Sequence, residues 1–141
     1  MIEMLKARKE ALESRGAKGF TLMEMLIVIA IIAVLVAIAI PVLGAQLAKA
    51  QATTDEANIR DGYASYQVAQ LQDNDFDKDA TYYLQKDGSV TKGTGANDYQ
   101  CKGASADLGA DVDVAGNTFT WTKDAKITYK LTDGKVVIAA A

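Results

Sequence analysis

The sequence predicts an α+β protein: one long N-terminal helix, apolar in its first half, whose second half packs on an antiparallel meander sheet. Three observations carry this. An uncharged run of 24 residues, Met25–Ala48, begins directly after Glu24. A stripe at helical spacing continues beyond it to about Gln72. Strand-length pieces separated by turn dipeptides then fill the C-terminal third.

The first element is a leader, residues 1–19, with five bases (Lys6, Arg8, Lys9, Arg15, Lys18) against three acids (Glu3, Glu10, Glu13). From Phe20 onward ten bases face fifteen acids, within a total net charge of −3. A basic start, an apolar run and an acidic body predict a single-pass orientation, with the leader cytoplasmic and the body across the membrane.

The helix is expected from Thr21 to Gln72, divided into an apolar half (20–48) and an amphipathic half (49–72). At ~1.5 Å per residue the uncharged run reaches roughly 36 Å, beyond the ~30 Å of a bilayer's hydrocarbon. A conventional signal peptide would be shorter and would break at a small-residue cleavage site. Here the helical pattern continues instead. Ala48, Ala52, Ile59, Tyr63, Tyr66 and Gln70 share a face, with Ala64, Val68 and Leu71 widening it. Lys49, Thr53, Asp55, Glu56, Arg60 and Asp61 make the polar face. Pro41 predicts a kink or a locally melted turn near Gly44, and Gly62 reads as a weak point costing ~1 kcal/mol against alanine.

The remaining 73–141 form the β-meander head. Asp73–Asp79 reads as an exposed connection, and Thr81–Lys92 as two strand-like pieces around Asp87-Gly88. Gly93–Asp111 is rich in Gly, Asp and Ser and reads as a long loop. Strands are expected near Val112–Ala115, Thr118–Thr122, Lys126–Leu131 and Lys135–Ala139, joined at Gly116-Asn117, Lys123-Asp124 and Asp133-Gly134. Alternation turns Phe119, Trp121, Ile127, Tyr129, Leu131, Val136 and Ile138 to one side, against the helix stripe.

Composition narrows the chemistry. The acidic body lacks the basic stripe that a standing nucleic-acid partner would require. Cys101 is the only cysteine, so this chain forms no intrachain disulfide. With no histidine and no Gly-rich phosphate loop opening a helix, neither a triad nor a nucleotide site can be assembled. The expected protein is not an enzyme and calls for no cofactor. Asp73, Asp75 and Asp77 alternate as in a calcium loop, but Lys78 and Leu84 occupy the positions where an EF-hand needs Gly and a bidentate acid. A solvated loop is the expected reading, and these three remain the metal candidates.

Lys18-Gly19-Phe20-Thr21-Leu22-Met23-Glu24, followed by the apolar run containing Pro41, resembles the processing motif of type IV prepilins. The resemblance covers Lys18 to about Gln72, and the helix-then-sheet order extends it. It implies a pilin-like fold and a structural subunit of a type IV pilus, cleaved between Gly19 and Phe20 by a prepilin peptidase and N-methylated at Phe20. It implies further that Glu24 pairs with the new amine of a neighbouring subunit and that Pro41 belongs to the assembly helix. The implied partners are other copies of the chain in a helical filament, minor pilins, the platform protein, the assembly ATPase and the membrane before assembly, with an extracellular fimbrium afterwards. A pseudopilin of a type II secretion or competence filament shares these features and is the alternative. A single-pass surface-binding protein would leave Glu24 unexplained. Secretion pseudopilins of related build bind calcium, which brings Asp107, Asp111 and Asp113 into view. Many pilins close the C-terminal region with a cysteine pair; with Cys101 alone, the loop must be pinned otherwise or be mobile.

Overall fold

The computed structural model describes residues 1–17 and 21–141. The chain divides into two compact units, Met1–Leu43 and Gly44–Ala141. Two helices come first. The first, α1, spans Ile2–Ala17, an element that the sequence patterns do not announce, with Glu3 in its first turn. There a carboxylate suits the positive end of the helix dipole. Helix α2 spans Leu22–Gln72 and contains Pro41 within it. The local melting expected at Pro41 is therefore absent. Proline lacks an N–H, which removes one bond of the ladder, and helical structure continues on both sides.

In Gly44–Ala141, α2 presents Ala52, Asp55, Ile59, Gly62 and Tyr66 as its buried face. The alternating spacings of 3 and 4 keep these positions on one side of the cylinder. This face is narrower than the stripe expected from sequence. Ala64 is exposed and Tyr63 half-buried, while Val68 and Leu71 stand in the open at 50% and 85% of their accessible surface.

Six strands follow: β1 Tyr82–Leu84, β2 Val90–Lys92, β3 Val112–Val114, β4 Asn117–Phe119, β5 Ile127–Thr132 and β6 Lys135–Ala140. All pairings are antiparallel. The strands make a four-stranded sheet in the order β2-β1-β5-β6 and a separate β3-β4 hairpin. The antiparallel sheet is as expected, whereas its connectivity is broken: β5 pairs with β1, more than 40 residues earlier in the chain, instead of with β4. Strand β4 ends at Phe119, so Trp121 lies outside a strand, though it is buried at 3% exposure as its apolar bulk predicts.

Two hairpins show turn chemistry directly. Asp133 and Gly134 link β5 to β6 with φ of 50° and 77°, and Ala115 and Gly116 link β3 to β4 with φ of 53° and 81°. Two successive positive φ values match the right-handed twist of paired strands. The second turn sits one residue before the predicted Gly116-Asn117. Asn117 is thereby freed to join hairpin to sheet: its Nδ2 donates to Val136 O at 2.9 Å and its Oδ1 accepts from Ile138 N at 3.4 Å.

The core gathers Ile59, Tyr66, Tyr82, Leu84, Ile127, Tyr129 and Ile138 between helix and sheet, with Tyr99, Cys101, Val112, Val114 and Trp121 around them. Tyr66 packs edge-on to Phe76 and Tyr82, with centroids at 5.2 and 5.5 Å, and stacks on Tyr129 at 5.9 Å. Phe76 thus ties the supposedly exposed 73–79 connection to the core. Gly62 lies where this packing is tightest. A Cβ there would stand 2.3 Å from Tyr129 Oη and 2.6 Å from Leu84 Cδ1. The residue is a packing requirement, and the weak point expected from sequence is corrected accordingly.

Candidate functional site

Residues 18–20 are not among the described ones, so the expected cleavage pair, Gly19 and Phe20, lies outside the described residues. Thr21 and Glu24 cap the start of α2 reciprocally. Thr21 N donates to Glu24 Oε2 at 2.9 Å, and Glu24 N donates to Thr21 Oγ1 at 3.2 Å. Each bond satisfies a backbone donor that the helix cannot use internally. Thr-x-x-Glu ahead of an apolar run is a readable capping signal, and sequence reasoning missed it. The carboxylate is thereby held at the helix end where the partial positive charge favours it.

Beyond this cap, every residue from Met25 to Leu43 is exposed, Pro41 included. The surface is Leu, Ile, Val, Met and Ala all round, and α2 is long and apolar enough to cross a membrane. Each large apolar side chain left in water forgoes roughly 1.5–3 kcal/mol of burial. Lipid or other apolar helices are surroundings that would cover such a surface.

A second constellation overturns a sequence expectation. Asp55, assigned to the polar face, is fully buried. Its Oδ1 accepts from Tyr99 Oη at 2.6 Å and Lys102 N at 2.9 Å. Its Oδ2 accepts from Gly103 N at 2.8 Å and Trp121 Nε1 at 3.3 Å. Four donors satisfy a carboxylate that would otherwise be costly to bury. Asn58 Nδ2 donates in turn to Tyr99 Oη at 2.9 Å. The legible signal was position: Asp55 falls three residues after Ala52 and four before Ile59, on the apolar stripe itself.

This cage fastens the 93–111 segment, which was expected to be a loop. Gly103 lets its backbone rest on α2, since a Cβ would meet Ala52 N at 2.7 Å and Ala48 O at 3.2 Å. Cys101 N donates to Ala125 O at 2.9 Å, Asp124 N to Cys101 O at 2.8 Å, and Ser105 N to Trp121 O at 3.0 Å. A short 3-10 helix, Ser105–Leu108, follows. Asp98 is buried too, bonded by Gln85 Nε2 at 2.8 Å, Gly95 N at 2.9 Å and Lys126 Nζ at 3.1 Å. Burial and the Asp55 charge push the Cys101 thiol up to about 12. Burial, followed by the bond to Asp55, raises the Tyr99 phenol. Both groups are therefore inert near neutral pH.

The calcium candidates are partly spoken for. Asp73 Oδ1 accepts from Asp75 N at 2.9 Å and Asp77 Oδ1 from Asp79 N at 3.0 Å, while Asp77 Oδ2 meets Lys92 Nζ at 2.5 Å. Lys92, chiefly through that hydrogen bond, holds Asp77 below the usual carboxylate range. Asp107 and Asp113 accept backbone bonds from Ala104 N and Gly116 N. Among the described residues, no three such side chains are gathered to hold a metal ion.

Residues 14–40 match the prokaryotic N-terminal methylation motif. The chain is also 45% identical over 62 residues to the type IV wide pilus major component PilA4 of Thermus thermophilus, covering 44% of this chain and 47% of that protein. It therefore spans about half the length of the curated relative it matches. No solved structure matches. A methylation motif, a pilin relative and an apolar N-terminal helix followed by an antiparallel sheet together support a type IV pilin.

Proposed function

We propose that this type IV prepilin-like chain is a structural subunit of a type IV pilus filament. It is made as a single-pass precursor with its leader cytoplasmic, cut between Gly19 and Phe20 by a prepilin peptidase, and methylated at Phe20. In this reading residues 1–19 are the leader, 20–48 the membrane and polymerisation half of the helix, 49–72 its amphipathic half and 73–141 the head. The observation that carries the reading is the run Met25–Leu43, apolar on every side and exposed throughout, most of it within the methylation motif. That surface serves twice: lipid covers it before assembly, and the same surface of neighbouring subunits covers it afterwards. The ATPase and platform protein of the assembly machine would supply the work of extraction, and minor pilins would share the filament. Between a pilus and a secretion pseudopilin, the relative's own description as a wide pilus major component favours the pilus.

Glu24 has two roles to separate. In the precursor it closes the cap with Thr21; in the filament its charge would pair with the amine of an adjacent Phe20. An unpaired charge inside an apolar bundle is costly, and a matched one is tolerated. Glu24→Gln keeps a side-chain acceptor for Thr21 N–H and removes the charge, whereas Glu24→Ala removes both. Both variants should be cut and methylated yet form few filaments. Mass spectrometry of the mature N-terminus and filament counts by electron microscopy measure this. Wild-type piliation by Glu24→Gln would reduce Glu24 to a helix cap, and an intact leader in cells with an active peptidase would overturn the pilin reading.

A further inference from the structure

We propose that opposite charges at the two ends of the head form a subunit-to-subunit contact along the filament: a lysine-lined cleft on one copy receives the acidic connection of the next. The inference rests on the filament reading above and names a contact that the apolar helices do not supply.

The cleft lies beside Gln51 near the start of the amphipathic half of α2, with Lys86, Lys102 and Lys123 lining it around a floor of Tyr99 and Cys101. Three separate segments bring these lysines together in a unit that is otherwise acidic. None of the three is in an ion pair with an acid among the described residues. Lys86 Nζ reaches only the Ala96 carbonyl, at 3.5 Å. Asp124 is the one acid on the lining, leaving a net of +2.

The complementary patch is the connection leaving the other end of the helix. Asp73, Asp75 and Asp79 are exposed there beside Lys78, while Asp77 is neutralised by Lys92. The patch nets −2 once both lysines are counted. About 30 Å of helix separates Gln51 from Gln72, so the patches cannot meet within one head. Between copies they form a heterologous contact, the type that propagates as an open filament when its rotation does not close a ring. Charges set register and partner choice more than affinity. The division of labour follows: apolar helices drive association, and the lysine cleft fixes which neighbour is met and where.

Carbodiimide, which joins carboxylates to amines already in contact, tests this on intact wild-type filaments. Filaments from mixed light and heavy isotope cultures should give inter-subunit cross-links between Asp73, Asp75 or Asp79 and Lys86, Lys102 or Lys123. Filaments that cross-link elsewhere but at none of these pairs overturn the contact and leave the pilus reading standing. Absence of filaments together with an uncut leader overturns both. A second arm reverses charge: Lys86→Glu with Lys102→Glu, or Asp75→Lys with Asp79→Lys, should each lower filament yield at least tenfold with the processed subunit retained in the membrane. Combining the four changes should recover most of the yield. Unchanged yield in either single-sided variant, or no recovery in the combination when Trp121 fluorescence shows folded heads, refutes the proposal.

Discussion

Replacing Gly62 by alanine sets two magnitudes against each other. In an exposed helix the exchange stabilises by about 1 kcal/mol, because glycine loses more backbone freedom on folding. Here the new methyl would lie 2.3 Å from Tyr129 Oη and 2.6 Å from Leu84 Cδ1, against comfortable carbon contacts of roughly 3.5–4.0 Å. Tyr129 and Leu84 are both essentially inaccessible, so neither side chain can swing into solvent. Tyr129 Oη also donates to Ile59 O at 2.6 Å. Moving it away costs about 1 kcal/mol for that bond and displaces the stack on Tyr66, with overpacking of about 1–3 kcal/mol in cores of this kind. The clash outweighs the propensity, and Gly62→Ala should destabilise the head by about 1–3 kcal/mol. For a unit of about 100 residues, Tm falls by roughly 4–8 °C per kcal/mol. Trp121 is the single tryptophan and is buried, so its emission reports unfolding of the full chain in detergent. An equal or higher midpoint would refute the reasoning. A Tyr129→Phe background removes the closest atom, and the cost of Gly62→Ala should shrink there by at least about 0.5 kcal/mol; strict additivity would show that the hydroxyl contact is not the cause.

Three other outcomes are expected. Asp55→Asn keeps the shape of the side chain but turns an amide N–H2 toward donors now bound by Oδ1 or Oδ2, and should cost about 2–4 kcal/mol in urea unfolding; a loss below about 0.5 kcal/mol would contradict the cage. Cys101, at 1% exposure with its thiol pushed up to about 12, should react with iodoacetamide at pH 8 at least about 100-fold more slowly in the native chain than after denaturation, and equal rates would contradict its burial. Burial pushes Asp98 up, but the bonds from Gly95 N, Gln85 and Lys126 outweigh it and hold the carboxyl below its ordinary value. A folded value below the unfolded one means the stability from Asp98 is present at neutral pH and is lost as pH falls from about 4 through the folded value. Asp98→Asn should therefore flatten the acid limb of the urea midpoint between about pH 5 and 2, and an acid limb identical to wild type would show that Asp98 titrates normally.

What is legible in the sequence is what is local. The apolar run, the long helix and strands β3 to β6 follow from spacings of two, three and four residues, and both ends of α2 fall within a residue of expectation. The N-terminal methylation motif over residues 14–40 is legible as an ordered string of residue types. The roles of Asp55 and Gly62 are not, because their partners arrive from far along the chain. Asp55 is held by residues 44 to 66 positions later, and Gly62 is crowded by a tyrosine 67 positions on. A carboxylate taken by itself belongs in water, and a glycine taken by itself is a weak helix residue. Only the returning strands and the 93–111 segment make the first an anchor and the second a contact point. The place of β1 between β2 and β5 is hidden for the same reason, since alternation in three residues fixes a face but not a neighbour.

The Asp55 cage also has a consequence in time. Where a cysteine pair closes a loop, the closure waits for an oxidant and an exchange partner, on the scale of seconds to hours. A carboxylate closes the same kind of loop as soon as the chain collapses around it, and opens and recloses without leaving a wrong covalent product. A head fastened in this way is finished when it is folded, in a reducing or an oxidising compartment alike, and under the filament role proposed above it would need no covalent closure before meeting a neighbour.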